Sequence, residues 1–553
     1  LIDNTRMHFA SSGKYGQSAN YGGEAEQSLS RTFTFTQQYL ANYKKTFATN
    51  HTIDALVGFE SFTEEGESME AYGQNLYAPG VWAVNNTIDQ RRGYGSVGYY
   101  AVMGLISRIN YDYAEKYFVS GSFRRDASSR FAPKNRWGNF WSVSAAWNLG
   151  KEDFIKSADW IDMLKLKASF GQQGNDNIGN NYAYLDQYTM SGSDGVFSDG
   201  ALAYKGNPEL TWETTNAFNV GVDFGFFQDR LSGSIEYFSR QTENMLYYKP
   251  VAASNGYSSV PMNIGSMKNY GVEIDLSGNI VSTKNVQWNI FGNATFLKNK
   301  VVKLSPDLNG KLISGSRIYT EGESMYQLYL VKYAGVDAST GEALYWAKSY
   351  KNVDDGMGGT KQVVDEDSAE YPTTNYSVAQ ATNRQSTGDL LPKVSGGSGT
   401  SLSVYGVDLS VQFAYQLGGK IMDSGYQSLM HCGTTGDLGQ NWHTDIANAW
   451  TPQNTNSDIP RLCTTDKYAN STSDRFLISS NYLSLNNITI GYTFPGKWTK
   501  KIGIEGIRIY GAADNIAVFS ARNGFDPRQS FTSATTSLYT ALRTISGGIK
   551  LTF

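Results

Sequence analysis

Cysteine and histidine are nearly missing: 553 residues hold two Cys and four His, and proline is held to 12. So small a stock of soft and nucleophilic side chains leaves little from which to build a metal centre or a catalytic nucleophile. The chain also carries none of the spacings HExxH, GxSxG, GxxxxGK[ST] or CxxC. Enzymatic chemistry is therefore not expected. Charged residues are only 18% of the chain, and a net charge of -4 with interspersed signs offers no basic stripe for nucleic acid. No unbroken apolar stretch approaches the ~18 residues of a membrane helix, so helical spans are excluded. If the chain crosses a bilayer it does so as a closed β-barrel, because open strand edges go unsatisfied in hydrocarbon. Leu1 opens no charged and then apolar leader, and reads as an internal position of something longer.

Aromatic residues, by contrast, are plentiful at 14%, with 37 Tyr, and 57 Gly accompany them at a mean hydropathy of -0.40. That mixture suits a barrel with a wet interior and interfacial belts of Tyr and Trp. Residues 542–553 show the pattern most clearly: Ile545, Gly547, Ile549, Leu551 and Phe553 alternate with Thr544, Ser546, Gly548, Lys550 and Thr552. Period two marks a strand with one apolar and one polar face. Ile545, Ile549, Leu551 and the terminal Phe553 form a candidate barrel-assembly signal. The same alternation recurs in pairs of segments. Leu164, Leu166, Ala168 and Phe170 oppose Lys165, Lys167 and Ser169; Phe218, Val220, Val222, Phe224 and Phe226 oppose Asn219, Gly221, Asp223 and Gly225. Basic and acidic side chains at every second position belong on a wet face, since one at the lipid midplane costs about 2–4 kcal/mol.

The expected fold is all-β: a transmembrane antiparallel β-barrel portion over 1–553, with about sixteen strands of the ~9–11 residues a tilted membrane strand needs. Amino-terminal wall segments fall near 2–11, 29–40, 51–62, 93–111, 116–127, 138–149 and 163–172. A phase break within 482–494 predicts a bulge near Asn486 or Asn487. Because antiparallel neighbours alternate direction, the short connections 227–230, 281–286, 405–406 and 495–505 share one, periplasmic, end. The long ones, near 173–212, 247–267, 418–480 and 515–540, share the other, and 299–393 becomes a large extracellular loop subdomain beside the long loop 418–480.

Candidate functional residues concentrate in those two loops. Tyr345, Trp346, Trp442 and Trp450 present large faces that suit sugars or peptide side chains, and each could equally pack within its own loop. Cys432 and Cys463 share the 418–480 loop with His431 and His443. Their spacing fits no standard zinc pattern, and a Cys432–Cys463 disulfide or two free thiols remain open. The acidic run Asp354, Asp355, Asp365, Glu366 and Asp367 could hold calcium, although its spacing is not that of an EF-hand and solvation is the plainer reading.

Several segments resemble a known family. LKLKASFGQQGN (164–175), NPELTWETTNAFNVGVDFGFFQDRLSGSIEYF (207–238), NIGSMKNYGVEIDLSG (263–278), YAGVDASTGEALYW (333–346), LSVQFAYQLGGKIMD (409–423), NYLSLNNITIGYTFP (481–495), ADNIAVFSARNGFDP (513–527) and SGGIKLTF (546–553) are similar to the carboxy-terminal barrel region of SusC/RagA TonB-dependent outer-membrane transporters. Residues 1–160 match in texture only. The resemblance implies a 22-strand barrel in the outer membrane of a Gram-negative bacterium, filled by an amino-terminal plug, partnered by a SusD-like surface lipoprotein and energised through TonB. It implies import of oligosaccharides or peptides. This chain then corresponds to roughly the last sixteen strands, without plug, TonB-contacting segment or first strands. Two other readings stand beside it: a passive sixteen-strand porin, and a soluble or surface-attached β-rich glycan-binding module.

Overall fold

A computed structural model describes all residues except 1, 11–21, 79, 82, 194–195, 355, 357–358, 435–438 and 530–539. Among the described residues sixteen strands join one sheet: β1 Ile2–Ala10, β2 Glu24–Phe47, β3 His51–Leu76, β4 Thr87–Tyr113, β5 Tyr117–Ser128, β6 Trp137–Asn148, β7 Ile161–Asn175, β8 Glu213–Phe226, β9 Leu231–Glu243, β10 Ser266–Ser282, β11 Val286–Lys303, β12 Val394–Val404, β13 Val407–Leu417, β14 Tyr482–Thr493, β15 Gly506–Ser520 and β16 Thr544–Thr552. Their spatial order is their sequence order, and β2 to β5, like β13 with β14, pair antiparallel. From β7 onward short connections alternate with longer ones, whereas the β6–β7 connection (149–160) is longer than the β5–β6 connection (129–136). The tightest is Tyr405-Gly406, with φ of 48° and 91°. Both residues are left-handed, as a two-residue hairpin matched to strand twist demands. A Cβ on Gly406 would stand 2.6 Å from the Thr493 carbonyl oxygen.

Contacts divide the chain into two units, Leu1–Trp147 with Ala168–Phe218 and Arg240–Ser266, and Asn148–Lys167 with Asn219–Ser239 and Met267–Phe553. In the first unit the register stacks the apolar positions of four strands into one face. Phe59 pairs with Leu105, Ala55 with Ile109, Ile109 with Gly121, and Phe123 with Trp141. These side chains are exposed: Leu105, Ile109, Phe123 and Trp141 all lie open. Near the short connections the face ends in an aromatic row. The His51 and Tyr113 rings are 4.8 Å apart, Tyr113 and Tyr117 6.2 Å, and Tyr117 and Trp147 6.2 Å. The opposite face is charged. Gln38 Nε2 donates to Glu60 Oε2 at 2.9 Å, and Arg124 Nε lies 2.7 Å from Asp126 Oδ1. Gly104 makes room for that pair, since a Cβ there would stand 2.1 Å from Asp126 Oδ1.

The second unit repeats the two-faced pattern. Trp160 packs against Phe226 and Phe227 at 5.2 and 5.8 Å beside a short connection. On the polar face Lys167 Nζ reaches Asp223 at 2.9 Å and Glu236 at 3.2 Å, and Arg508 Nη2 reaches Asp408 at 2.5 Å. The expected bulge lies between Leu485 and Asn487. Packed hydrophobic clusters form in the connections: Phe131, Phe140, Leu210 and Trp212 in the first unit, Leu328, Leu330, Leu390, Met422 and Phe476 in the second.

One expectation needs correction. β2, β3 and β4 run 24, 26 and 27 residues, the first two about twice and the third well over what was expected from their apolar alternation. Past Thr63, β3 carries Glu64, Glu65, Glu67 and Glu70 on both faces, so the signal vanishes although the backbone ladder to β2 and β4 continues. At ~3.3 Å per residue these ribbons reach about 80–90 Å, far beyond a ~25 Å apolar band.

Candidate ligand site in the long connections

In the second unit, residues 304–393 and 418–481 fold over one another. The strand Gln327–Val331 sends Leu328 and Leu330 into a core shared with Met422, Met430, Ala449, Ile459 and Phe476, which leaves Tyr329 on the other side. The helix Tyr376–Thr382 begins where Asn375 Oδ1 accepts from the backbone of Ser377 and Val378, a side-chain cap that satisfies otherwise orphaned donors. Its Tyr376 hydroxyl donates to the Thr472 carbonyl at 2.7 Å, tying the first connection to the second. Between these pieces lies a cleft of about 650 Å³, lined by Tyr329, Tyr376, Gln380, Arg384, Gln427 and Thr472 among others.

The cleft is polar with aromatic walls. Arg384 Nη1 donates to the Gly315 carbonyl at 2.9 Å, which holds its guanidinium 4.8 Å from the Tyr329 ring centroid. Lys311 Nζ lies 5.4 Å from the same ring. Gln427 Nε2 is fixed by Asn470 O and Thr472 Oγ1, both at 3.0 Å. Burial pushes the Tyr376 phenol above its ordinary pKa, so it remains a donor. Fixed amides, hydroxyls and a cation beside ring faces can orient a ligand that carries both hydrogen-bonding groups and apolar surface.

In the first unit, buried Asp176 gathers the end of β7 onto its neighbours. It accepts from Tyr100 at 2.8 Å, Ser128 at 2.5 Å and Arg130 at 3.1 Å, and Arg130 also donates to Asn181 and lies 4.0 Å over the Tyr100 ring. This hub positions the start of the 176–212 connection.

The residues singled out from sequence fare unevenly. Tyr345 is 1% exposed; its hydroxyl donates to the Tyr468 carbonyl, and its ring packs on Tyr333 and Tyr376. It is core and cannot touch a ligand. Trp346 is half-buried on the same strand. Trp450 closes over the turn at Gly341, where a Cβ would stand 2.4 Å from its ring, and its Nε1 donates to Ala338 O, so it is a fastener between connections. Trp442 alone is an open ring, stacked 4.9 Å from His431 and donating to the His431 carbonyl. The two cysteines are free thiols with separate partners, in place of a bridge: Cys432 Sγ donates to Asp466 O at 2.9 Å, and Cys463 Sγ lies 3.2 Å from Thr465 Oγ1.

Asp365 pairs with Lys351 at 2.8 Å, which lowers its carboxyl pKa, and Glu366 pairs with Lys348 at 3.1 Å. Asp354 binds the backbone of Gly356, and Asp355 lies outside the described residues. Lysines thus take up much of this acidic run. Ile545 and Ile549 in β16, on its apolar face, and Phe553 just past its end are 79%, 67% and 82% exposed. Sequence reasoning missed Tyr329, Tyr376, Arg384 and Gln427. The alternation of QLYLV, with Leu inward and Tyr outward, is a signal for Tyr329 alone.

A sheet that is apolar and aromatic on one exposed face and salt-bridged on the other is the wall of a transmembrane β-barrel. The family model described as TonB dependent receptor-like, beta-barrel matches residues 3–378, and the chain belongs to that family. Among curated relatives, TonB-dependent receptor P3 of Formosa agariphila is 28% identical over 93% of this chain and 50% of its own length. TonB-dependent receptor SusC of Bacteroides thetaiotaomicron is 24% identical over 95% of this chain and 52% of its own. The chain spans about half the length of the curated relatives it matches. The structure of the RagAB peptide transporter aligns with all of this chain and 58% of its own, at TM-score 0.82 and 27% identity.

Proposed function

We propose that this chain is the carboxy-terminal barrel portion of an active outer-membrane nutrient importer in a Gram-negative bacterium, driven through TonB and working with a SusD-like surface lipoprotein. The observation that carries the reading is the alignment of the whole chain with the RagAB peptide transporter at TM-score 0.82. The similarity to SusC over 95% of the chain supports it. In this reading the wall is a scaffold. The 299–393 subdomain and the 418–480 loop lie outside the cell, and their cleft receives an oligosaccharide or peptide at Tyr329, Arg384 and Gln427. No covalent step is assigned to any residue.

The test is uptake of labelled oligosaccharides and peptides by cells carrying the complete protein, with and without collapse of the proton-motive force, alongside conductance of the purified protein in a planar bilayer. Uptake that stops on uncoupling, with no steady conductance, is expected. A permanent conductance with uptake indifferent to uncoupling would replace the importer with a passive porin.

A further inference from the structure

Three lysines stand on the apolar face of the wall at the end of the long connections. In β11 the odd positions face the loop subdomain: Asn299 is buried and accepts from Met325 N at 2.8 Å, and Val301 is 5% exposed. The even positions therefore face away, and Trp288, Ile290, Phe296 and Val302 are exposed there together with Lys298 and Lys300. In the neighbouring β10, Asn269 Oδ1 accepts from Asn299 at 2.7 Å and Asn279 Oδ1 from Asn289 at 3.0 Å. Both bonds fit one antiparallel register, which sets Lys268 opposite Lys300 and Tyr270 opposite Lys298 on the apolar face. Lys268 Nζ lies 5.7 Å from the Tyr270 ring centroid.

Like charges opposed across a ladder are destabilising unless something neutralises them. None of the three lysines forms an ion pair among the described residues. Their height identifies the neutraliser. Trp288 marks the apolar face near the short connection, and Lys298 is ten residues further along β11. At ~3.3 Å per residue and a ~40° tilt that is about 25 Å along the membrane normal, the thickness of the apolar band. The lysines thus emerge at the headgroup level of the leaflet on the long-connection side, with Tyr270 level with Lys298 and Phe296 beneath it.

We propose that Lys268, Lys298 and Lys300 form a seat for the phosphate of a glycolipid in the outer leaflet, held laterally against β10 and β11. Basic side chains at a headgroup contribute roughly 1 kcal/mol each, about fivefold in affinity. The inference rests on the outer-membrane placement and outward long connections of the proposed function but is independent of the nutrient carried, so a failure over the nutrient leaves it standing.

The complete protein, purified from outer membranes in detergent and delipidated, is offered monophosphoryl lipid A, the same glycolipid without phosphate, or phosphatidylglycerol, and bound lipid is read by native mass spectrometry. Unaltered protein and a Lys268→Arg, Lys298→Arg, Lys300→Arg variant should retain the phosphorylated glycolipid. Lys268→Gln, Lys298→Gln, Lys300→Gln should lose about tenfold or more, while Lys45→Gln, on the apolar face near a short connection, should change nothing. Equal retention by the glutamine variant, equal retention of the dephosphorylated glycolipid, or a preference for phosphatidylglycerol would each overturn the proposal. If the glutamine variant fails to assemble, the unaltered protein's choice between the three lipids decides alone.

Discussion

Replacing Ile109 with arginine separates a lipid-facing wall from a water-facing one. Ile109 lies in β4 four residues before its end, between Ala55 and Gly121 on the neighbouring strands, and is 52% exposed in the bare chain. If that exposure were to water, Ile109→Arg would cost within about 0.5 kcal/mol, as surface changes usually do. If it is to lipid, height decides. Ile109 is four residues from Tyr113 in the aromatic row, about 10 Å along the normal at ~3.3 Å per residue and ~40° tilt. That is close to the centre of a ~25 Å band, where arginine costs about 2–4 kcal/mol. At 1.4 kcal/mol per decade this shifts the folding equilibrium by roughly 30- to 700-fold. Asn110→Arg, one residue on, joins the polar face that already carries Arg108 and should stay within about 0.5 kcal/mol. Urea titration of the complete protein in lipid vesicles, followed by heat-modifiable gel migration, measures both. Equal effects of the two substitutions would refute the face assignment.

Three further outcomes follow from the same structure. Asp176→Ala leaves Arg130, whose side chain is only 16% exposed, without its carboxylate and should destabilise by about 3–5 kcal/mol, read as faster proteolysis within 176–212; unchanged cleavage would contradict the hub. Cys463, whose thiol pKa is lowered by its hydrogen bonds to Thr465, should alkylate rapidly in the native protein while buried Cys432 resists, and mass spectrometry without reductant should find no bridge. Burial and a 2.9 Å bond to Asp445 push the Tyr426 phenol up to about 12. A raised folded-state pKa gives stability that is intact below the unfolded value near 10 and is lost as pH rises through about 12. Tyr426→Phe should therefore flatten the loss of stability between those two pH values, measured by thermal melts across alkaline buffers.

The wall was largely legible because a strand with one face in oil and one in water writes its period into the residues, and β7, β8 and β16 do so without interruption. Even the bulge in β14 is visible as a phase slip. The ends of β2 to β4 were not, since beyond the apolar band both faces are polar and nothing alternates. The connections obey no period at all: whether Tyr345 faces ligand or core depends on contacts with Tyr376 and Tyr468, far away in sequence. The cleft was hidden for the same reason, being assembled from Tyr329, Arg384 and Gln427 across two connections.

The most direct measurement walks a spin label through positions 103–113 of β4 in the complete protein in bilayers and reads its relaxation by oxygen and by a water-soluble nickel chelate. Odd positions, including Met103, Leu105 and Ile109, should favour oxygen, and even ones, including Arg108 and Asn110, should favour nickel, alternating with period two. Low access to both reagents along the strand, or no alternation, would contradict a wall with lipid on one face and water on the other.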